Sequence, residues 1–386
     1  MDALPIVVIV IVLGLVFDFT NGFHDTANAM ATSVATGALK PRIAVLISAV
    51  LNVVGALLST TVAATISSGI VKEGQGGVHI SPAMVFAALV GAIMWNLATW
   101  YLGLPSSSTH ALLGGLIGAA IVGTGIGSVN WPNVISTIAL PALFAPIVSG
   151  IVAMVATYSA YMITRRATTS GAERGFRYGQ TVSASLVSLA HGTNDAQKTM
   201  GVITLTLVAA GFQHSGTTPQ LWVILACGLA IGAGTYSGGW RIMRTVGKRI
   251  TDVSPPQGFS AEAASAATIL VSSHLGFPLS TTQVTTGGVV GSGLGRKLAS
   301  VHWGTFGRMA LGWLVTVPAA ALVAGVATLV VTTGAVGTVI VVVAAVAGMV
   351  AFWLLSRRHP VTHETVNDDE DVLSSRRTPV STGESK

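Results

Sequence analysis

The chain has 386 residues, of which 51% are hydrophobic and only 9% charged, with a mean hydropathy of +0.72. Soluble domains carry about 25% charged residues, so a soluble globular protein is excluded and an all-α polytopic membrane protein is expected. The net charge of +6 then reflects loop topology and implies no nucleic-acid partner, while the single cysteine, Cys227, excludes a disulfide framework.

The first span is expected over residues 4–37, broken around Asn21-Gly22. It lacks a basic leading region and reads as a retained helix, not a signal peptide. Lys40-Pro41-Arg42 marks the cytoplasmic side, and a second span over 43–66 leads to a loop holding only Lys72 and Glu73. A span over 83–102 enters Gly103-Leu104-Pro105-Ser106-Ser107-Ser108-Thr109-His110 and a small-residue helix over 111–122. The uncharged loop 123–133 is placed outside, and the run 134–163 returns to Arg165-Arg166. A first transmembrane repeat, 1–164, is thus followed by a cytoplasmic linker, 165–180, and a second repeat, 181–331. Within the second, one span exits near Gln213-His214 and 221–239 returns to Arg241, Arg244, Lys248 and Arg249. Residues 261–275 then enter Gly276-Phe277-Pro278-Leu279-Ser280-Thr281-Thr282-Gln283, which descends toward Arg296-Lys297. Closing spans cover 306–331 and 336–355, the latter within a final helix unit 332–356. The tail, 357–386, is polar and acidic in its middle (Asp368 to Asp371), and is expected to be disordered and cytoplasmic.

Two motifs recur. Asn21-Gly22-Phe23-His24-Asp25-Thr26-Ala27-Asn28-Ala29-Met30 returns as His191-Gly192-Thr193-Asn194-Asp195-Ala196-Gln197-Lys198-Thr199-Met200, with Gly22 and Gly192 separated by 170 residues. Gly103-x-Pro105-x-Ser107-Ser108-Thr109-His110 returns as Gly276-x-Pro278-x-Ser280-Thr281-Thr282-Gln283, with Gly103 and Gly276 separated by 173 residues. Gly114, Gly115 and Gly118 match Gly287, Gly288 and Gly291. The loops flanking the first Ser/Thr motif are charge-poor and those flanking the second are charge-rich. The two copies therefore face opposite ways, as inverted-topology repeats whose Gly-x-Pro-x-Ser turns are tips of re-entrant hairpins.

These residue types suit the binding of an oxyanion and a cation. A helix opening at Ser107-Ser108-Thr109 offers hydroxyls and backbone N–H groups to an anion, and Ser280-Thr281-Thr282 offers a second set. An acid inside a membrane is costly and marks function. Asp25 and Asp195, with Asn28 and Asn194, are candidate ligands for a hard cation or carriers of a proton, and both acids would be metal ligands if a cation binds. His24 and His191 titrate near neutral pH, although each also reads as a hydrogen-bonding partner of its aspartate. Where the first copy has Asn28 the second has Lys198, whose ammonium would pair with Asp195 or the anion. That favours protons over a two-Na⁺ mechanism. Asp18, near the expected break, reads equally as structural, gating or ligand. An intramembrane hydrolase using Ser107 or Ser108 does not explain a duplicated tip, and a passive anion channel would tolerate collapse of the proton gradient.

The signature around Gly22 to Ala29, its copy around His191 to Lys198 and the paired Pro-x-Ser-Ser/Thr-Thr elements resemble the Pit-type inorganic phosphate transporters. Gly234-Thr235-Tyr236-Ser237-Gly238-Gly239-Trp240-Arg241 and Pro255-Pro256-Gln257-Gly258-Phe259 are similar to further stretches of that family, and the likeness covers about residues 5–330. The resemblance implies a symporter working by alternating access, no enzyme activity and no cofactor, a homodimer, and a multi-pass protein of the inner (plasma) membrane. The signature is closest to the bacterial branch, which implies proton-coupled, low-affinity uptake of phosphate or of a neutral metal–phosphate complex carrying Mg²⁺ or another divalent metal. Sodium-coupled relatives carry a Gly-x-Asn-Asp-x-x-Asn form in both halves, from which His24 and Lys198 depart, so H⁺ is expected with Na⁺ as the alternative. The family's phosphate contacts map onto Ser107, Ser108, Thr109, Ser280, Thr281 and Thr282. Asp25, Asn28, Asp195, Gln197 and Lys198 lie close by, and arsenate, nearly isosteric with phosphate, is expected to enter too.

Overall fold

A computed structural model describes residues 3–72, 79–166, 168–296, 301–358 and 360–367. Glu73, Lys297 and Asp368 to Lys386 lie outside the described residues, as do the side chains of Thr26 and Thr169. The chain runs α1 (Ala3–Ala35), α2 (Pro41–Ala56), α3 (Thr61–Gly69), α4 (Pro82–Tyr101), α5 (Ser108–Thr124), α6 (Trp131–Val134) and α7 (Leu140–Thr164). It continues through α8 (Thr169–Ala209), α9 (Leu221–Ser237), α10 (Trp240–Lys248), α11 (Pro255–His274), α12 (Thr281–Arg296), α13 (Trp303–Val331) and α14 (Ala335–Ser356). Among the described residues five helices are long and apolar enough to cross a membrane, and two bent pairs bring the number to as many as seven. The faces of α7, α13 and α14 expose Leu, Ile and Val, the outer surface of an integral membrane protein.

The elements recur in order. The pair α2 and α3 meets at 67°, and α9 and α10 at 70°. The isolated bridge Val71–Val129 has its counterpart in Thr251–Val301. Prolines interrupt α7 at Pro146 and α13 at Pro318. The two series are also interwoven: α1 packs on α9 and α8 on α2, α5 packs on α13 and α12 on α7.

Glycine explains the closeness of these crossings, and it corrects the expected break in the first span. α1 is continuous through Asn21-Gly22. A Cβ on Gly22 would stand 2.3 Å from the Ile231 carbonyl oxygen, and one on Gly192 would stand 2.3 Å from that of Asn52. The signature glycines are therefore contact points between intact helices, not helix breakers. The duplicated Gly114 and Gly118 likewise seat α5 on Val317 and Ala321 of α13, and Gly287 and Gly291 seat α12 on Pro146 and Gly150 of α7.

Other boundaries differ from the sequence expectation as well. The second span is broken after Ala56, and α10 is a helix where the sequence shows a basic cluster. Residues 169–180 of the expected linker form the opening turns of α8, which continues unbroken to Ala209. The chain reverses at both Gly-x-Pro-x-Ser motifs, so that α5 packs back on α4 and α12 on α11. Gly103 follows the Leu102 cap of α4 and Gly276 the Leu275 cap of α11, with φ of +65° and +79°, the left-handed turn that glycine adopts without strain.

Candidate functional site

The two signatures lie mid-helix on α1 and α8, and the two hairpin turns bring the first residues of α5 and α12 against them. Ser107 caps α5 by accepting from the His110 N–H at 3.1 Å, and Ser280 accepts from the Gln283 N–H at 3.3 Å. Each hydroxyl keeps its proton for a further acceptor. The tips touch directly: Thr109 Oγ1 donates to the Leu279 carbonyl at 2.9 Å.

Asp25 is buried with every oxygen engaged. Oδ2 accepts from Ser108 Oγ at 2.8 Å, while Oδ1 lies 2.6 Å from His24 Nδ1 and accepts from Thr282 Oγ1 at 3.3 Å. Asp195 is held by Lys198 Nζ at 2.7 Å on Oδ1 and by Asn21 Nδ2 at 3.2 Å on Oδ2, with His191 Nε2 at 3.4 Å. Lys198 Nζ also donates to Thr109 Oγ1 and, at 3.0 Å, to the Leu279 carbonyl. The ammonium is thus wrapped by a carboxylate, a hydroxyl and a carbonyl, and such pairing is what allows a charge to be buried.

The two copies cross. Asn28 donates to Thr282 at 2.8 Å, so α1 of the first series grips the tip of the second, and Lys198 grips Thr109, the tip of the first. One turn earlier, His24 Nε2 lies 3.3 Å from Thr99 and Asn194 donates to Ser273 at 2.8 Å, each tying a signature to the end of its own hairpin's first helix. Ser107, Ser108, Thr109, Ser280, Thr281, Thr282, Asp25, Asn28, Asp195 and Lys198 therefore share one buried region. Thr281 Oγ1 and the Oδ1 atoms of Asn21, Asn28 and Asn194 are buried there without a hydrogen-bond partner among the described residues. One free hydroxyl and three free acceptor oxygens suit a guest that both accepts and is coordinated. Asp25, His191 and Asp195 each present a ligand atom, and these lie within 4.8 Å of one another.

Gln197 stands apart from this group. Its Oε1 accepts from the Val62 and Ala63 N–H groups at 2.8 and 3.2 Å, and its Nε2 donates to the Thr193 carbonyl. The amide is spent on capping α3, because a helix that starts inside the protein needs an acceptor for its first donors. His110 and Gln283 lie back to back at 3.5 Å on the wall of an apolar cavity of about 890 Å³ between α5, α7, α12 and α13. Sequence reasoning gave Asn21 a place in the signature but no binding role, and passed over Glu262. The signal for Asn21 was an amide just before the signature glycine, and for Glu262 an acid within an otherwise uncharged helix.

Polar and ionisable residues that converge at a buried site inside a helical membrane protein mark the path of a substrate or ion. The chain belongs to the phosphate transporter family, whose sequence profile matches residues 21–172 and 164–324. It is 52% identical to the probable low-affinity inorganic phosphate transporter of Mycobacterium tuberculosis (strain ATCC 25618 / H37Rv), covering 94% of this chain and 87% of the relative. It is 42% identical to the protein of the same description from Bacillus subtilis (strain 168), covering 85% and 98%. A solved structure described as the sodium-dependent phosphate transporter superposes with a TM-score of 0.76 at 26% identity, covering 85% of this chain and 99% of that one. The family and these relatives are transporters and not enzymes, and phosphate is the substrate they support.

Proposed function

We propose that the protein imports inorganic phosphate by proton-coupled symport, with the anion seated between the two hairpin tips. The hydroxyls of Ser107, Ser108, Thr109, Ser280, Thr281 and Thr282, with the N-terminal N–H groups of α5 and α12, supply donors to its oxygens. Asp25 and Asp195 carry the cationic companion that an anion needs against an inside-negative potential of about 2.3 kcal/mol per charge per 100 mV. The observation that carries the proton reading is Lys198 Nζ. It lies among Asp195 Oδ1, Thr109 Oγ1 and the Leu279 carbonyl, where a sodium ion would find its oxygens.

Inverted topology follows from a crossing count in which α8, the counterpart of α1, spans the membrane and α4 does not. If both hairpins turn back inside the bilayer, each copy crosses three times: its signature helix, its bent pair and its long closing helix. An odd number reverses the second copy, and α14 as a seventh crossing leaves Arg357-Arg358 on the cytoplasmic side of the plasma membrane. Rocking of one copy against the other would then expose the site to each face in turn.

The solved relative is described as sodium-dependent, and the Asp25 half of the site, with the free Oδ1 of Asn28, keeps oxygens for a cation. The cluster of Asp25, His191 and Asp195 also suits a divalent metal travelling with phosphate as a neutral complex. Proteoliposome uptake of labelled phosphate under an imposed H⁺ or Na⁺ gradient, with and without Mg²⁺, separates these. Accumulation under a pH gradient in Na⁺-free buffer is expected; accumulation only under a Na⁺ gradient would overturn the proton reading.

A further inference from the structure

Asp18 lies on α1 about 10 Å of helix rise before Asp25, buried where α1 meets α8 and α9. Its surroundings differ from those of the two signature acids. Oδ1 accepts from Thr199 Oγ1 at 2.6 Å, while Oδ2 has no nitrogen or oxygen partner among the described residues. The Cys227 thiol stands beside the carboxyl, and the charged groups that act on it, Asp195 and Lys198, are already paired with each other at 2.7 Å. Cys227 itself belongs to an apolar cluster with Met200, Ile203 and Ile231, against which Leu15 packs.

The other copy shows what this corner requires for packing alone. Ser188 takes the place of Asp18, and Ser48 takes that of Cys227, since Asn52 lies on Gly192 as Ile231 lies on Gly22; the two hydroxyls are joined at 3.0 Å. A neutral pair is enough to join these helices, so the carboxyl of Asp18 exceeds the structural need. A buried acid without a cationic partner is costly. Thr199 and Cys227 fall far short of the ~6 oxygens a hard cation takes, whereas one proton needs only the carboxyl.

We propose that Asp18 is a proton-carrying site of the transport cycle, separate from the phosphate seat. The inference rests on the proton-coupled reading above. α1 approaches the site from its N-terminal end and α8 leaves it toward its C-terminal end, and Asp18 and Thr199 both lie on that side. A proton arriving from there meets Asp18 before Asp195, and is released on the opposite side once phosphate has moved.

The test uses the full-length protein in proteoliposomes with two readouts: phosphate–phosphate exchange at equal pH, and accumulation driven by an imposed pH gradient. Asp18→Asn is expected to keep exchange and to lose accumulation together with the external alkalinisation that accompanies it, while Asp18→Glu keeps both. Where Asp18→Asn inserts poorly, the double variant Asp18→Ser/Cys227→Ser rebuilds the Ser188–Ser48 pair and carries the same expectation. Gradient-driven accumulation that survives in either neutral variant overturns the inference. Loss of exchange as well would place Asp18 in substrate binding, and failure of both variants to insert would make it structural; either result overturns it too. A wild type driven by Na⁺ and indifferent to pH would instead sink the coupling reading itself, whatever the variants do.

Discussion

Replacing Lys198 with asparagine, the residue its counterpart position holds as Asn28, removes the ammonium and leaves Asp195 buried. Deleting one partner of a buried ion pair costs about 3–5 kcal/mol, because the remaining charge is uncompensated. Asn21 at 3.2 Å and His191 at 3.4 Å still face Oδ2 of Asp195, which puts the expected loss near ~3 kcal/mol, the lower end of that range. The vacated seat keeps the carboxylate, the Thr109 hydroxyl and the Leu279 carbonyl, so a free cation can enter it. Sodium at a hundred times its dissociation constant would return about 2.7 kcal/mol. Thermal unfolding of the detergent-purified protein, with Na⁺ exchanged for choline, reads both effects. Lys198→Asn should melt well below wild type in choline and recover in Na⁺, and adding Asp195→Asn should remove most of the loss and the Na⁺ response with it. A variant as stable as wild type in choline would refute the view that Lys198 compensates a buried acid. A destabilised variant indifferent to Na⁺ would refute the view that the ammonium fills a cation seat.

Three further outcomes follow from the geometry. Gly22→Ala places a methyl 2.3 Å from a backbone oxygen of α9, and overpacking of about 1–3 kcal/mol or more should lower the yield of folded protein on size exclusion; Gly304→Ala, with open space at that position, should not. Thr281→Val removes a hydroxyl that has no partner among the described residues, so melting temperature should hold while the KM for phosphate rises in uptake assays; an unchanged KM would take Thr281 out of the seat. Gln197→Ala strips the acceptor from two N–H groups at the start of α3, a loss of about 1–3 kcal/mol visible in thermal unfolding, with KM unchanged.

Much of the site is legible in one dimension because membrane burial makes polar residues conspicuous. Asp25, Asp195 and Lys198 stand out in apolar helices, and the duplication at a spacing of 170 residues is enough to pair them. Ser107 and Ser280 are legible as caps because serine before a small-residue helix, after a glycine and a proline, leaves little else for the backbone to do. Gln197 is misplaced by the sequence for a definite reason. It lies two residues beyond Asp195, on a different face of α8, and the donors it satisfies belong to a helix that begins at Thr61, inside what reads as one continuous span. The continuity of α1 is equally hidden. Asn21-Gly22 reads as a break until the neighbouring helix is in place, since a glycine that lets two backbones touch and a glycine that ends a helix look alike along the chain.

What the duplication does not conserve is as informative as what it does. Glu262 on α11 accepts from Thr32 and Ser33 of α1, each at 2.6 Å, and from Ser183 and Gln180 of α8. The positions matching these five residues in the other copy are Leu89, Val202, Ile203, Leu13 and Val10, all apolar and packed in the hydrophobic core. One helix junction is thus closed by a ring of hydroxyls and an amide around a carboxylate, and its counterpart by hydrocarbon. Each solution is complete in itself. A carboxylate among Val10, Leu13 and Val202 would have no donors, and a leucine at position 262 would strand Thr32 Oγ1 and Gln180 Nε2, while Ser33 and Ser183 would keep only the Gln180 carbonyl. By contrast Asp25 with Asp195, and Thr109 with Thr282, kept their chemistry through the same divergence. Under the proposed phosphate seat this is the expected division: the residues that would face the anion match between the copies, while the helix junctions beside them are built differently.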